Sequence, residues 1–139
     1  MQEKLNNLKN NSLLEVSQWW GLREAGKGGI IITQDKYLYS YTFYYRLTPF
    51  LEKNNIPLEY ISDGKLLTNE EYEKVINFIE NEIVGKTFTS QHIFDASFNV
   101  SGNYNNHTFN IHNNVGFINN KEGLYDKAKK LIETIKGEK

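Results

Sequence analysis

The sequence contains no cysteine, and this absence removes three kinds of chemistry. Without a thiol the chain forms no disulfide framework, no thiolate metal site and no cysteine nucleophile. It also lacks an apolar run long enough for a secretory leader or a membrane-spanning helix. We therefore expect a cytoplasmic protein with no membrane association. The excess of Lys over Arg, 14 to 2, together with 18 Asn, suggests an AT-rich bacterial or phage genome.

The chain has little excess charge of either sign. Sixteen basic and seventeen acidic residues give a net charge of −1, so no broad cationic surface is available for a long nucleic acid. Leu, Ile, Val and Phe together number 39 of 139 residues, which is enough for a packed core. The length predicts one domain over residues 1–139.

Helices are predicted from capping patterns and apolar spacing. Two Ser/Thr-x-x-Glu capping boxes begin at Ser12 and Thr68. The first predicts a helix over residues 12–20, preceded by a weaker turn at residues 5–8, and the second predicts a helix that ends near Gly85. A third helix is expected over residues 122–136, and one short helical turn over residues 50–53.

Strands are predicted from period-two alternation and turn residues. Residues 29–33 and 37–45 form one expected hairpin. Residues 93–100 and 104–111 form a second hairpin around a turn at residues 101–103, and short strands are expected at residues 86–88 and 115–118. The order α-ββ-α-ββ-α predicts an α+β fold, in which an antiparallel sheet of two hairpins has three helices packed mainly on one face.

An aromatic strand is the most distinctive feature. Its alternate residues are Tyr37, Tyr39, Tyr41, Phe43 and Tyr45, which share one face of a strand. Such a face is typical of a core covered by helices, and this interpretation is favoured because amphipathic helices need an apolar partner. Tyr also dominates binding surfaces and base-stacking platforms. The alternative is therefore a binding face for a nucleotide-like anion, with Tyr37, Tyr39, Tyr41 and Tyr45 stacking on the ligand.

The cations for such a ligand would be Arg23, Lys27 and Arg46. Residues 21–28 nearly match the phosphate-binding pattern G-x-x-x-x-G-K-[ST], but Gly28 replaces the Mg²⁺-binding hydroxyl. In addition, a predicted helix precedes the loop, whereas the true motif follows a strand and begins a helix. The sequence thus favours a flexible connection, with anion binding through Arg23 and Lys27 as the weaker hypothesis.

No metal site, cofactor or catalytic residue is predicted. The pairing parity that matches the apolar faces of the second hairpin keeps His92 from lying opposite His112, and it leaves His107 too far along the sheet to share a metal with His92. There is no G-x-S-x-G sequence and no carboxylate pair that stands out. An enzyme with a site of dispersed residues remains the third hypothesis.

Two regions with contrasting charge complete the pattern. Residues 52–82 carry eight acidic and three basic side chains, whereas residues 86–120 carry only Lys86 and Asp95 as charged residues and contain nine Asn. A charge-poor hairpin indicates a covered surface. The cover is either the chain's own helices, a second copy of the chain, which would make a homo-oligomer through residues 86–120, or a partner.

The first functional hypothesis is a non-catalytic binding protein that blocks or sequesters a protein partner through its Tyr-rich strand, its acidic helix or its Asn-rich hairpin. Toxin-immunity proteins and phage-encoded inhibitors are often of this size, free of Cys and mildly acidic, and the chain is similar to them in composition alone. The second hypothesis is the small-ligand binder described above.

Overall fold

The computed structural model describes residues 2–21, 24–90, 93, 96–116 and 122–137. These residues form a seven-stranded antiparallel sheet and four helices, so the predicted α+β class is confirmed, while the predicted arrangement of two hairpins and three helices is wrong in detail. The elements are α1 (Gln2–Asn10), β1 (Ser12–Trp20), β2 (Gly26–Thr33), β3 (Tyr37–Tyr44), α2 (Pro49–Lys53), β4 (Glu59–Ile61), β5 (Lys65–Leu66), α3 (Asn69–Glu82), β6 (Ala96–Tyr104), β7 (His107–His112) and α4 (Leu124–Lys136).

The strands follow the order β4-β3-β2-β1-β6-β7, and β5 pairs with β3 beside β4. The predicted hairpin of β2 and β3 is confirmed, as are the helices α2, α3 and α4 to within a few residues. Among the described residues, no helix is long and apolar enough to cross a membrane.

The helix predicted over residues 12–20 is wrong, because this segment is the central strand β1. It pairs with β2 on one side and β6 on the other, so its backbone groups are satisfied by the sheet. Leu14 and Val16 pack in the main core while Glu15 lies on the opposite face, which is the period-two pattern of a strand. The first helix is instead α1, in the segment where the sequence indicated only a weaker turn.

The second hairpin is displaced from its predicted position. Its turn lies at Asn105 and Asn106, whose positive φ angles of 53° and 65° suit a tight β-turn. Gly102 lies inside β6, where a Cβ atom would come within 2.1 Å of the Leu13 carbonyl oxygen, so this glycine permits a close approach of two strands. Residues 86–88 are irregular, and the strand predicted at residues 115–118 falls partly outside the described residues.

The sheet has a core on each face. The larger core joins even-numbered side chains of β1–β3 to α3 and α4. The smaller core lies under α1, where Leu5 packs against Ile31, Tyr41 and Phe43. The two longest helices therefore share one face, as predicted, while α1 covers the other.

A cleft between the sheet and the last helix

The aromatic residues of β3 occupy three different environments. Tyr41 and Phe43 are buried under α1, and Tyr37 and Tyr39 are half-buried with ring centroids 6.2 Å apart. Tyr45 lies beyond the end of the strand and is 55% exposed. The tyrosines thus do not form one continuous stacking surface.

A buried polar cluster connects Tyr41 to α1. The Tyr41 hydroxyl donates a hydrogen bond of 2.5 Å to Glu15 Oε2, and Lys9 Nζ donates one of 2.8 Å to the same oxygen. Lys9 Nζ also lies 5.4 Å from the centroid of the Tyr41 ring. Burial, and next the Glu15 charge, raise the pKa of Tyr41 above its ordinary range. These contacts hold α1 against the sheet.

The predicted cations do not converge on a ligand site among the described residues. Arg23 lies outside those residues. Lys27 Nζ lies 5.8 Å from the centroid of the Phe43 ring, and Arg46 is exposed beyond the end of β3. Neither Lys27 nor Arg46 lines the cleft described below.

His107 and His112 point to opposite faces of β7 because an odd number of positions separates them. His112 Nδ1 contacts Asn99 Oδ1 on β6. His92 lies outside the described residues. Within the described part of the chain, no group of three His, Asp or Glu side chains could hold a metal ion.

A cleft of about 470 Å³ lies between the sheet and α4, on the side of the sheet that carries Ser40 and Thr42. Its floor comes from residues of β1, β2 and β3, and α4 forms its wall. The lining residues are Val16, Gln18, Trp20, Gly28, Gly29, Ile30, Ser40, Tyr41, Thr42, Tyr125, Lys129, Ile132, Glu133 and Lys136.

The strand register explains the space in the cleft. Cross-strand pairing forms rows, and one row places Gly28 between Gln18 and Thr42. A Cβ atom at Gly28 would lie 3.0 Å from the Tyr41 carbonyl oxygen and 3.5 Å from both Thr42 Oγ1 and Trp20 Cη2, so even a small side chain here would crowd the residues beside it. Because Gly28 has no side chain, the middle of the cleft floor stays open.

Two aromatic side chains form firm walls. Trp20 Nε1 donates a hydrogen bond of 2.7 Å to the Glu24 carbonyl, and its ring meets Tyr44 edge-on at 6.0 Å. Tyr125 packs edge-on against Phe98 with ring centroids 5.0 Å apart, and burial raises its pKa. Because both rings are held by neighbours, the cleft is largely preformed.

The cleft combines an apolar floor with polar groups and a charged rim. Val16, Ile30 and Ile132 are apolar, and Gln18, Ser40 and Thr42 offer amide and hydroxyl groups to a ligand. The charged members are Lys129, Glu133 and Lys136, all on α4. Such a surface suits a ligand with an apolar body and a few polar contacts.

The sequence did not predict this cleft. The capping box at Ser12 indicates a helix at Trp20, and the alternation of the aromatic strand places Ser40 and Thr42 on the face away from the odd-numbered tyrosines. The useful signal was the alternation of Val16, Gln18 and Trp20, which places these side chains on one face of a strand. Helix α4 also carries polar residues on the side that lines the cleft. The sequence alone did not show which strands this side of α4 faces.

No protein-family model matches the chain, and no curated protein or solved structure matches it either.

Proposed function

We propose that this chain is a non-catalytic binding protein whose cleft holds a small organic ligand with a flat apolar body and an anionic group. The cleft volume of about 470 Å³ carries the proposal, because small-molecule sites usually measure roughly 300 to 1,000 Å³. The proposal keeps the small-ligand hypothesis but moves the site to the even-numbered face of β3.

The shape and charge of the lining define the ligand class. Trp20 is half-buried and offers a flat aromatic surface, which favours a planar body. Lys129 and Lys136 outnumber Glu133 on the rim, which favours an anion. The lining residues include no histidine and one carboxylate, Glu133.

The test is a fluorescence titration with anilinonaphthalene sulfonate, which combines a flat apolar body with one negative charge. We expect Ser40→Phe, which fills the floor, to weaken binding by about tenfold or more, equivalent to ~1.4 kcal/mol. The matched control is Ser90→Phe, at an exposed position outside the cleft. Circular dichroism establishes that each variant is folded.

A second pair of variants tests the charge without filling the cleft. Lys129→Gln should weaken probe binding about two- to fivefold, as expected for an exposed ion pair. Lys74→Gln removes the same charge from the exposed side of α3 and should leave binding unchanged. Equal binding by wild type and Ser40→Phe, or no binding by wild type, would contradict the proposal.

The second candidate function is the one favoured by composition: a protein that blocks a protein partner. It is supported by an exposed apolar connection, residues 45–60, which runs from the end of β3 through α2 to the first two residues of β4. Its large exposed side chains, which are between 37% and 56% exposed, are Tyr45, Leu47, Phe50, Leu58 and Tyr60. Exposed apolar side chains in one segment often mark interaction sites. The exposed charged residues of the segment, Arg46, Glu52, Lys53 and Glu59, cancel in sign, so the apolar side chains carry this candidate.

This candidate is tested with a photo-cross-linkable side chain at position 50 in the native host, followed by purification of the captured protein. The activity of that protein should fall when wild-type chain is added and should recover with Phe50→Asp. Leu66→Asp, which changes an exposed apolar residue outside the connection, should still inhibit. Inhibition that survives Phe50→Asp would exclude this surface.

A further inference from the structure

The two edges of the sheet differ sharply. One edge is formed by β4 and β5, which are three and two residues long and carry the charged side chains Glu59 and Lys65. Short, charged edge strands resist pairing with other chains. The other edge, β7, has six residues, with no Asp, Glu, Lys or Arg and no proline. Residues 96–116 contain no Asp, Glu, Lys or Arg at all.

The hydrogen-bond pattern shows which backbone groups of β7 are directed outward. Asn113 N donates a hydrogen bond of 2.6 Å to the Phe98 carbonyl, in the same register as the pair Val100 and Ile111. Hydrogen-bonded pairs alternate along an antiparallel ladder, so Ile111, Phe109 and His107 face β6 through their backbone groups. The N–H and C=O groups of Thr108, Asn110 and His112 therefore point away from β6. No described strand pairs with them.

We propose that β7 pairs antiparallel with β7 of a second copy of this chain, about a two-fold axis at Asn110. Asn110 then lies opposite Asn110 of the other copy, and Thr108 lies opposite His112. The outward groups of these residues form about six backbone hydrogen bonds across the axis. The two seven-stranded sheets become one continuous sheet.

The side chains of β7 favour a second copy over an unrelated strand. Phe109 and Ile111 lie on the face of the main core, whereas Thr108, Asn110 and His112 are exposed on the other face. The two-fold arrangement places Phe109 opposite Ile111 of the other copy and keeps polar residues beside polar residues. This edge carries no charged side chain that could attract a partner of opposite charge.

The expected dimer is independent of the ligand cleft, because no β7 residue lines that cleft. An interface built around one pair of strands falls below the standard size of about 1,600 Å². We therefore expect reversible dimers in the micromolar range or weaker, which a concentration series detects.

Sedimentation over such a series provides the first test. Wild type should shift from monomer to dimer, and Asn110→Lys should remain a monomer because it places two like charges opposite each other on the axis. The matched control Asn77→Lys makes the same change on the exposed surface of α3 and should dimerise like wild type. A wild-type monomer at every concentration would overturn the proposal.

Disulfide trapping provides the second test and also checks the register, since the chain has no cysteine of its own. Asn110→Cys should form a covalent dimer under mild oxidation, because hydrogen-bonded partners in an antiparallel pair have Cα atoms about 5.5 Å apart, within disulfide range. Thr108→Cys should cross-link poorly, because the Cα atoms of the two copies of position 108 would be about 14–15 Å apart. Asn77→Cys, on the exposed surface of α3, is the control that measures disulfide formation by random collision. Equal trapping by all three variants would overturn the proposal, and preferential trapping by Thr108→Cys would exclude the axis at Asn110.

Discussion

Glu15 is a carboxylate with only 5% of its surface exposed, in the middle of a β-sheet. Its burial is tolerable because the Tyr41 hydroxyl and the Lys9 ammonium both donate to Oε2. Lys9 comes from α1, whereas Glu15 and Tyr41 come from two strands that are not neighbours. One residue thus links a helix and two strands.

Replacing Tyr41 tests this cluster. Tyr41→Phe removes a donor to a buried carboxylate, so the free energy of unfolding at neutral pH should fall by about 1–3 kcal/mol. The pKa of Tyr41 is raised above its ordinary value of 10 in the folded protein, so the unfolded chain loses this proton first. Wild type should therefore lose stability as the pH rises above 10, and Tyr41→Phe should lose less.

Urea unfolding at pH 7 and at several values above pH 10 measures both effects. Tyr60→Phe, which makes the same change at a half-exposed site, serves as the control and should leave the stability at pH 7 nearly unchanged. If the free energy of unfolding falls equally steeply with pH above 10 in Tyr41→Phe and in wild type, the ionisation of the Tyr41 hydroxyl is not coupled to folding.

At the scale of elements, α3 begins with a reciprocal cap. Thr68 Oγ1 accepts a hydrogen bond of 3.1 Å from Glu71 N, and Glu71 Oε1 accepts one of 2.9 Å from Thr68 N. The backbone N–H of Thr68 lowers the pKa of Glu71 below its ordinary value. Both hydrogen bonds satisfy N–H groups that have no partner inside the helix.

Thr68→Ala should destabilise the protein by about 1 kcal/mol, because one of these N–H groups loses its acceptor. Thr87→Ala, at an exposed position in an irregular segment, should have little effect on stability. The measurement is the urea midpoint of the two variants beside wild type at neutral pH. Equal midpoints for wild type and Thr68→Ala would contradict a stabilising role for the cap.

At the scale of the whole molecule, the two cores share the strands β2 and β3. Residues adjacent in sequence, such as Ile31 and Ile32, belong to different cores on opposite faces of the sheet. Loss of either core therefore removes support from the same strands. The two faces should unfold as one cooperative unit.

Leu5→Ala tests this cooperation from the side of α1. Leu5 is 1% exposed, so the truncation should cost about 2–5 kcal/mol. Tryptophan fluorescence, which reports on β1, and far-ultraviolet circular dichroism, which weights the helices, should shift to the same lower midpoint. Two separate midpoints would show that the face under α1 unfolds independently.

Local signals were sufficient for some elements. Helix α3 carries its own cap and an apolar stripe, α4 has a stripe of the same period, and β2 and β3 are joined by a short turn. In these segments, neighbours along the chain supply most of the determining contacts, so the predictions agree with the structure.

The two capping boxes show where local signals fail. At Thr68 the pattern begins a helix, but at Ser12 the same pattern begins a strand. The difference is that β2 and β6 flank residues 12–20 and pair with both edges of that strand. Those partners are far away in sequence, so no local pattern reveals them.

The sequence by itself determined the α+β class, the helices α2, α3 and α4, the first hairpin and the absence of thiol chemistry, since each follows from composition or from nearby residues. Only the tertiary structure decided that residues 12–20 are the central strand, that Tyr41 lies under α1, and that a cleft opens beside α4. These features depend on strand register and on which face each helix covers. Register is set by contacts between distant segments, and a shift of one residue would turn every side chain to the opposite face.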